Sequence, residues 1–320
     1  MAAEHEPSGG AMKIGLVLPL AEYPSGQPSY TEIRSLALQA EDSGFDSVWV
    51  FDHLLFRGQD GASEGIWESW TVLAALAEAT ERVELGSFVM CTAFRNPAVL
   101  AKMAVTLDEV SRGRLILGLG AGWHQPEFEA FGIPFESRVD RFEEALQIIV
   151  GLLRTGRVDF TGRHHWSRAG ELRPRGPRPG GPPVLVGANR PRTMGLAARY
   201  ADLWNSCWFG SPSGAVEVLA RVRESCLGEG RDPATLGITL GVNVSVEGED
   251  GRGGEAPPGV DVLTGSPGVV ARGLRRYEAL GVSHLVLNLN PHHREAQSRL
   301  GAALRLYRSG ARPTTEKVNQ

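Results

Sequence analysis

The 320-residue sequence is short of several things at once, and each shortage removes a class of protein. It holds 3 cysteines (Cys91, Cys207 and Cys226), an odd number set far apart, so no disulfide framework is expected and a reducing cytoplasm is the expected setting. No apolar run approaches the roughly 20 residues that cross a bilayer, so no membrane partner is expected. A cationic surplus is missing too. The formal net charge is −4, which leaves no bulk electrostatic case for nucleic acid or an anionic membrane surface. The opening MAAEHEPSGG has neither a basic n-region nor an apolar h-region and does not read as a signal peptide. Lysine is scarce, at Lys13, Lys102 and Lys317 among 33 basic residues, a bias that points to GC-rich coding. Metal-ligand spacings such as HExxH are absent. The pairs His164-His165 and His292-His293 are chain neighbours that do not normally converge on one ion, so no metal is expected.

What is present is a globular composition, 42% hydrophobic and 22% charged, with enough apolar material for a large core. The segment 86–123 carries the most information. Asn96 suits a helix N-cap and Pro97 the first helical position, where a missing N–H costs nothing. Gly113 tolerates the positive φ that ends the helix. Leu115-Ile116-Leu117 then reads as a strand buried on both faces, running into the glycine-rich loop Gly118-Leu119-Gly120-Ala121-Gly122. Such a loop after a parallel strand is where α/β proteins leave room for a cofactor.

Along the whole chain, strands are expected at 13–19, 46–51, 83–89, 115–117, 183–187, 202–206, 237–246 and 284–289. Helices alternate with them, with Ser137 as a cap for the fourth. Residues 54–68 read as a long loop. Eight strand–helix units predict an α/β fold, a (β/α)8 TIM barrel with insertions, formed as one domain over 1–320. A doubly wound open sheet fits the local pattern equally well, and the count of eight separates the two. The insertions are an Arg/Pro/Gly-rich stretch at 155–183, opening with a small hairpin, and a Gly- and acid-rich, mobile stretch at 247–265. Residues 1–11 and 312–320 read as disordered tails.

In a barrel the chemistry lies in the loops that follow the strands. His53, beside Asp52 after the second strand, can exchange a proton near neutral pH. Alternatively, Asp52 caps a turn and His53 is a structural donor. Residues 187–193 suit a phosphate, because a helix start with Arg190 and Arg192 nearby favours an anion. Plain capping by Asn189, with Pro191 at the first helical position, is the alternative. The glycines 118, 120 and 122 read as close backbone approach to a flat ring or a phosphate, or else as tight packing of helix on strand. Cys91 reads as a packed thiol, Trp70 as core, Trp67 as a pocket wall or a shield at the base of a lid, and Trp123 as a pocket residue.

With these residues placed, the chain resembles the bacterial luciferase-like superfamily. It is most similar to the group dependent on coenzyme F420. The resemblance is carried by GFDSVWVFDH (44–53), LGSFV (85–89), FRNPAVLAKMAVTLDEVSRGRLILGLGAGW (94–123), EFEAFGIPF (127–135) and PVLVGANRPRTMGLAARYADLWN (183–205). It implies a TIM barrel with cofactor at the strand C-termini. Asp52 and His53 would face the (deaza)flavin ring, with His53 the catalytic residue. Ser87 and Phe88 match a third-strand bulge that often holds a non-prolyl cis peptide behind the ring. Ala121, Gly122 and Trp123 match the loop beside the ring, next to Gly120. Gly187, Ala188, Asn189 and Thr193 match the phosphate-binding turn, near Arg192. Trp123 stands where the family's sugar-phosphate dehydrogenases carry a glutamate.

The expected function is therefore an F420-dependent oxidoreductase moving hydride to or from a small organic substrate. The alternatives are a two-component monooxygenase using reduced FMN, with residues 54–68 as a lid, and a barrel that only binds flavin. Expected partners are the small-molecule substrate, a flavin or F420 reductase that supplies reduced cofactor, and a second copy in a homodimer.

Overall fold

The computed structural model describes residues 11–23, 26–58, 60–248 and 259–310. Both expected tails lie almost wholly outside these residues, as does 249–258 of the second insertion. Eight strands form the frame: β1 (Lys13–Val17), β2 (Ser47–Val50), β3 (Glu84–Ser87), β4 (Leu115–Gly120), β5 (Val184–Gly187), β6 (Leu203–Phe209), β7 (Gly237–Val246) and β8 (His284–Leu289). Each pairs in parallel with its chain neighbours. β4 pairs with both β3 and β5, and β8 returns to β1, so the sheet closes. This is the eightfold barrel; an open sheet would leave two edges unpaired. Outside it lie α1 (Tyr30–Asp42), α2 (Ser69–Ala79), α3 (Pro97–Val110), α4 (Arg138–Thr155), α5 (Pro191–Tyr200), α6 (Val216–Gly228), α7 (Pro267–Ala279) and α8 (Arg294–Arg308).

Side-chain alternation along each strand separates two apolar cores. Ile14, Leu16, Val48 and Leu287 point outward to the helices. Val17, Trp49, Phe88, Ile116, Leu185 and Val286 point inward and fill the barrel. Trp49 is fully buried at its centre, edge-on to Phe88 with ring centroids 5.5 Å apart. Its Nε1 donates to Ser47 Oγ at 2.7 Å, and Ser47 Oγ lies 2.7 Å from Nε2 of the buried His284. Burial, aided by Lys13, pushes His284 down to about 3, so it is neutral in this network.

Several sequence expectations need correction. β4 runs on to Gly120, so Gly118 and Gly120 belong to a strand and not to a loop. Ser137 has φ 56° and its side chain makes no capping bond, so α4 starts without a side-chain cap. The 54–68 loop contains a hairpin, Leu55–Arg57 against Ser63–Gly65. Part of the second insertion is ordered, since Leu263–Gly265 pairs with β7. The first insertion does open with a hairpin, Arg157–Thr161 against Trp166–Glu171. Its arginines fasten it to the barrel. Arg178 forks onto the buried Asp108 and donates to Leu115 O at 2.6 Å, while Arg175 caps the carbonyls of Leu153 and Arg154 at the end of α4. A planar guanidinium does this where an ammonium could not, which is a physical reason for arginine over lysine at these sites.

Candidate active site

Past β2 the alternation continues, with Phe51 inward, Asp52 outward and His53 inward. Asp52 is buried, and its carboxylate accepts from Ser69 Oγ (2.7 Å), Cys91 N (2.9 Å) and both Nη atoms of Arg95 (2.7 and 3.1 Å). Burial alone would lower the Arg95 pKa, but the Asp52 and Glu68 carboxylates outweigh it and hold the guanidinium above its ordinary value. The Asp52 side chain is thus directed to these protein partners, outward from the barrel interior. Its work is to tie the loops after β2 and β3 together.

His53 has what a proton-transfer group needs. Its Nδ1 lies 3.0 and 3.2 Å from the two oxygens of Glu127, whose side chain is 1% exposed and whose Oε2 also accepts from Leu54 N at 2.9 Å. The carboxylate assigns the proton to Nδ1. Nε2 makes no hydrogen bond among the described residues. Around the ring stand Phe56, Trp123 and Phe51, with centroids at 4.5, 5.6 and 6.2 Å. Glu127 lies on the short helix Gln125–Ala130 after β4, 74 residues from His53. Sequence reasoning missed it, because no spacing marks a carboxylate whose partner is that distant. The neighbouring His124 accepts from Arg57 N at 3.1 Å and so pins the hairpin after β2.

The end of β3 holds a non-prolyl cis peptide, between Phe88 and Val89, one bond beyond the expected position. Ser87 is fully buried, and its hydroxyl donates to Gly118 O (3.0 Å) and accepts from Gly118 N (2.8 Å), so it is bound to β4. Phe88 points inward, with ring centroids 5.5 Å from Trp49 and 5.3 Å from Trp208. The glycines have a packing cause. A Cβ on Gly118 would sit 1.9 Å from Ser87 O, one on Gly120 would sit 2.6 Å from a Val89 methyl, and one on Gly187 would sit 3.2 Å from the same side chain. These glycines admit the β3 bulge itself, so tight packing within the barrel accounts for small residues here. Gly122, at φ +78°, is pressed against Phe128 and Cys91. Cys91 is buried, and desolvation pushes its thiol far up, so it is a packing group. Ala121 is half-buried, and Trp123 is exposed beside His53.

After β5 the chain turns through Gly187, Ala188 and Asn189 into α5. Ala188 is buried, and its carbonyl accepts from Trp204 Nε1 at 2.8 Å. Asn189 Oδ1 accepts from Ser206 Oγ at 2.5 Å, so the alternative of plain capping by Asn189 does not hold; Arg190 occupies the N-cap position. The Thr193 hydroxyl donates to Arg190 O and accepts from Arg190 N. Pro191 has no N–H, and the amides of Arg192 and Thr193 have no partner among the described residues. Arg192 is spent elsewhere. Its Nη2 pairs with Asp140 (2.6 Å) and Glu143 (2.9 Å) on α4, hydrogen bonds that hold it above its ordinary pKa. Two cations remain at this turn, Arg190 and Arg221, whose Nη2 donates to Asn189 O at 3.0 Å; neither makes an ion pair among the described residues. Two open amides and the Arg190 guanidinium at a helix N-terminus fit the anionic tail of a nucleotide-like cofactor.

His53, Ser87, Gly122 and Thr193 thus come from four strands to one rim of the closed barrel. That architecture, with His53 and Glu127 over β2 and open backbone amides after β5, is of the (β/α)8 enzyme class. Residues 12–251 match the luciferase-like monooxygenase family, and the chain belongs to it. Among curated relatives, it is 30% identical over 242 residues to the pyrimidine monooxygenase RutA of Escherichia coli (strain K12), covering 69% of this chain and 61% of that protein. It is 34% identical over 205 residues to the F420-dependent hydroxymycolic acid dehydrogenase of Mycobacterium tuberculosis (strain ATCC 25618 / H37Rv), covering 63% and 55%. The chain therefore spans less than two thirds of the length of these relatives. In fold it is similar to an F420-dependent secondary alcohol dehydrogenase solved with an F420–acetone adduct, with a TM-score of 0.75, 19% identity and coverage of 93% and 99%.

Proposed function

We propose that this protein is a coenzyme F420-dependent oxidoreductase acting on a small organic substrate. The observation that carries the reading is His53, oriented through Nδ1 by a buried carboxylate while Nε2 is left free toward the barrel mouth. F420, when bound, supplies hydride donation or acceptance. The chain's own residues then have separate duties. His53 Nε2 gives or takes the substrate's proton, and Glu127 holds the ring for it. Phe51, Phe56 and Trp123 keep water away from that atom. The free amides of Arg192 and Thr193, with Arg190, hold the anionic tail. Ala121 and Phe88 are the site-lining groups left for ring contact once Asp52 and Ser87 are taken by protein partners.

A second reading is a two-component monooxygenase working with reduced FMN and a separate reductase. The likeness to the pyrimidine monooxygenase over 69% of the chain favours it, and the hairpin pinned by His124 would serve as its lid. Titration of the purified protein with F420 and with FMN separates the two. Tight FMN binding without F420 affinity, together with oxygen uptake coupled to supplied reduced FMN, overturns the first reading.

Two further attributes belong to the proposal. A groove of about 250 Å³ between α2 and α3, lined by Trp70, Ala74, Val99, Met103 and Val110, is the surface for a homodimer. Three free thiols fit a reducing cytoplasm. No helix among the described residues is long and apolar enough to cross a membrane.

A further inference from the structure

The barrel interior shows what kind of molecule it can receive opposite His53. Val286 on β8 points into the barrel beside Trp49 and Phe88, so Asn288, two residues on, points the same way nearer the mouth. On β7 the missing Cβ of Gly241 lies 2.9 Å from the Phe88 ring, which fixes the inward register and places Asn243 at the level above. Asn243 and Asn288 are paired across β7 and β8. Asn288 Nδ2 donates to Asn243 Oδ1 at 3.0 Å, and Asn243 Nδ2 donates to Asp261 O at 3.3 Å. Asp261 is itself anchored, its carboxylate accepting from the amides of Gly210 and Ser211 at 2.9 and 2.7 Å. The two side-chain amides therefore form a ladder with a fixed direction, and among the described residues Asn288 Oδ1 is left as an open acceptor.

Asn205, the inward asparagine of β6, behaves differently. It is buried, and its Nδ2 donates to the carbonyls of Ser206 and Thr239. Asn243 and Asn288 are half-exposed within the barrel. An oriented amide pair that is open to the mouth, in a wall otherwise made of Phe51, Phe88 and Cys207, is a recognition element and not a packing one. β8 and β2 flank β1, so the ladder stands one strand removed from the strand that carries His53.

The described carboxylates on this side lie outside the barrel wall: Asp261, held by the amides of Gly210 and Ser211, and Glu64, which acts on Tyr23 from the hairpin after β2. Among the described residues, no inward position beyond the barrel's midpoint carries Lys, Arg, Asp or Glu. Tyr23 and His292, whose rings lie 5.5 Å apart over the β8–β1 edge, add no charge at neutral pH. Burial and Glu64 push Tyr23 up to about 12, and burial pushes His292 down to about 4. An ionic group seated against these inward strand positions would lose its hydration with no counter-charge on the wall itself to replace it.

We propose that Asn288, oriented by Asn243, is a specificity-determining residue, and that the substrate is an uncharged molecule presenting a hydroxyl, carbonyl or amide group to this ladder. The proposal rests on the oxidoreductase reading only in calling that molecule a substrate. To test it, the full chain and the variants Asn288→Leu and Asn288→Asp are screened by saturation-transfer NMR, with and without F420. The panel holds alcohols, ketones and amides alongside carboxylates, phosphates and alkylammonium ions of the same carbon skeletons. Uncharged compounds should be the wild-type ligands. Asn288→Leu should weaken the best of them about tenfold and leave F420 affinity unchanged, and Asn288→Asp should admit alkylammonium ions. A best ligand that is ionic, a change under twofold in Asn288→Leu, or no uncharged ligand at all overturns the proposal. Loss of folding in Asn288→Leu transfers the decision to the isosteric Asn288→Asp. Failure of F420 to bind refutes the cofactor reading, while the panel without F420 still decides the subsite.

Discussion

Replacing the Glu127 carboxylate with an amide tests the site where it is most tightly determined. Glu127 is 1% exposed and accepts from two donors, His53 Nδ1 and Leu54 N. Glu127→Gln keeps the shape but turns one oxygen into NH2. With the amide oxygen in the Oε2 place, Leu54 N keeps its acceptor, but the NH2 then stands in the Oε1 place against His53 Nδ1, donor facing donor where water is closed out. A charge-assisted bond contributes about 1.5–3 kcal/mol, and an unsatisfied buried donor costs about 1–3 kcal/mol. These describe one loss from two sides, so a destabilisation of about 2–3 kcal/mol is expected, read from urea unfolding followed by tryptophan fluorescence. Long-range 15N–1H correlation spectra of the imidazole should show Nδ1–H in the wild type and a mixture of tautomers in the variant. Turnover should fall about 10–100-fold, within the span of acid–base catalysis, while F420 affinity holds, because the cradle after β5 is untouched. A variant within ~0.5 kcal/mol of wild type, with His53 still protonated at Nδ1, would refute the assignment of Glu127 as the group that orients His53.

Other consequences are more local. Gly118→Ala places a methyl against Ser87 O, backbone that cannot move aside, and should fail to give soluble protein. Gly187→Ala meets only the Val89 side chain and should fold at a cost of about 1 kcal/mol; the pair is compared by expression and thermal melting. Arg178→Lys loses the forked contact with buried Asp108 and should lower stability by about 2–3 kcal/mol in denaturant titration. Stability should also fall with acid in a defined window. Burial depresses His284 from 6.5 to about 3, so the unfolded chain takes up a proton that the folded chain refuses. The contribution is complete above pH 6.5 and declines as pH falls toward 3, at about 1.4 kcal/mol per pH unit. In His284→Gln the slope between pH 6 and 4 should be shallower by that amount.

The frame of this protein was readable because its signals are periodic and punctuated. Asn96 does cap α3, accepting from Ala98 N and Val99 N, and Pro97 does open it. Eight buried apolar runs between helices left little topological choice. Roles within the rim were less readable, and for a shared cause. Asp52, Ser87 and Arg192 were placed at the rim correctly as positions, but what each side chain does depends on distant partners: Arg95 for Asp52, Gly118 for Ser87, and Asp140 with Glu143 for Arg192. Glu127 is the converse, a site residue whose only mark is its partner. The glycines were ambiguous for a related reason, since sequence shows that something comes close at 118 and 120 but not that the visitor is the preceding strand.

Direction of side chains explains how the rim can be charged in composition and still offer a dry, neutral mouth. Asp52, Glu68 and Arg95 form their ion pairs among the loops between α2 and α3, where each charge has a partner. Inward positions past the barrel's middle hold Phe51, Phe88, Gly120, Gly187, Cys207, Asn243 and Asn288, and His53 is the titratable group among them. The Cys207 thiol does not compete for that role, because desolvation pushes it up to about 12 and it stays protonated at any working pH. Among the described inward residues, His53 is the side chain placed to give or take a proton. Its Nδ1 leads to Glu127, which among the described residues leads by hydrogen bond only to the Leu54 amide, a donor that gives up no proton. The histidine therefore exchanges through Nε2, on the side where substrate enters. A His53→Ala variant that binds cofactor normally should lose turnover, and added imidazole should restore part of it; undiminished turnover would move the proton path to a group outside the barrel.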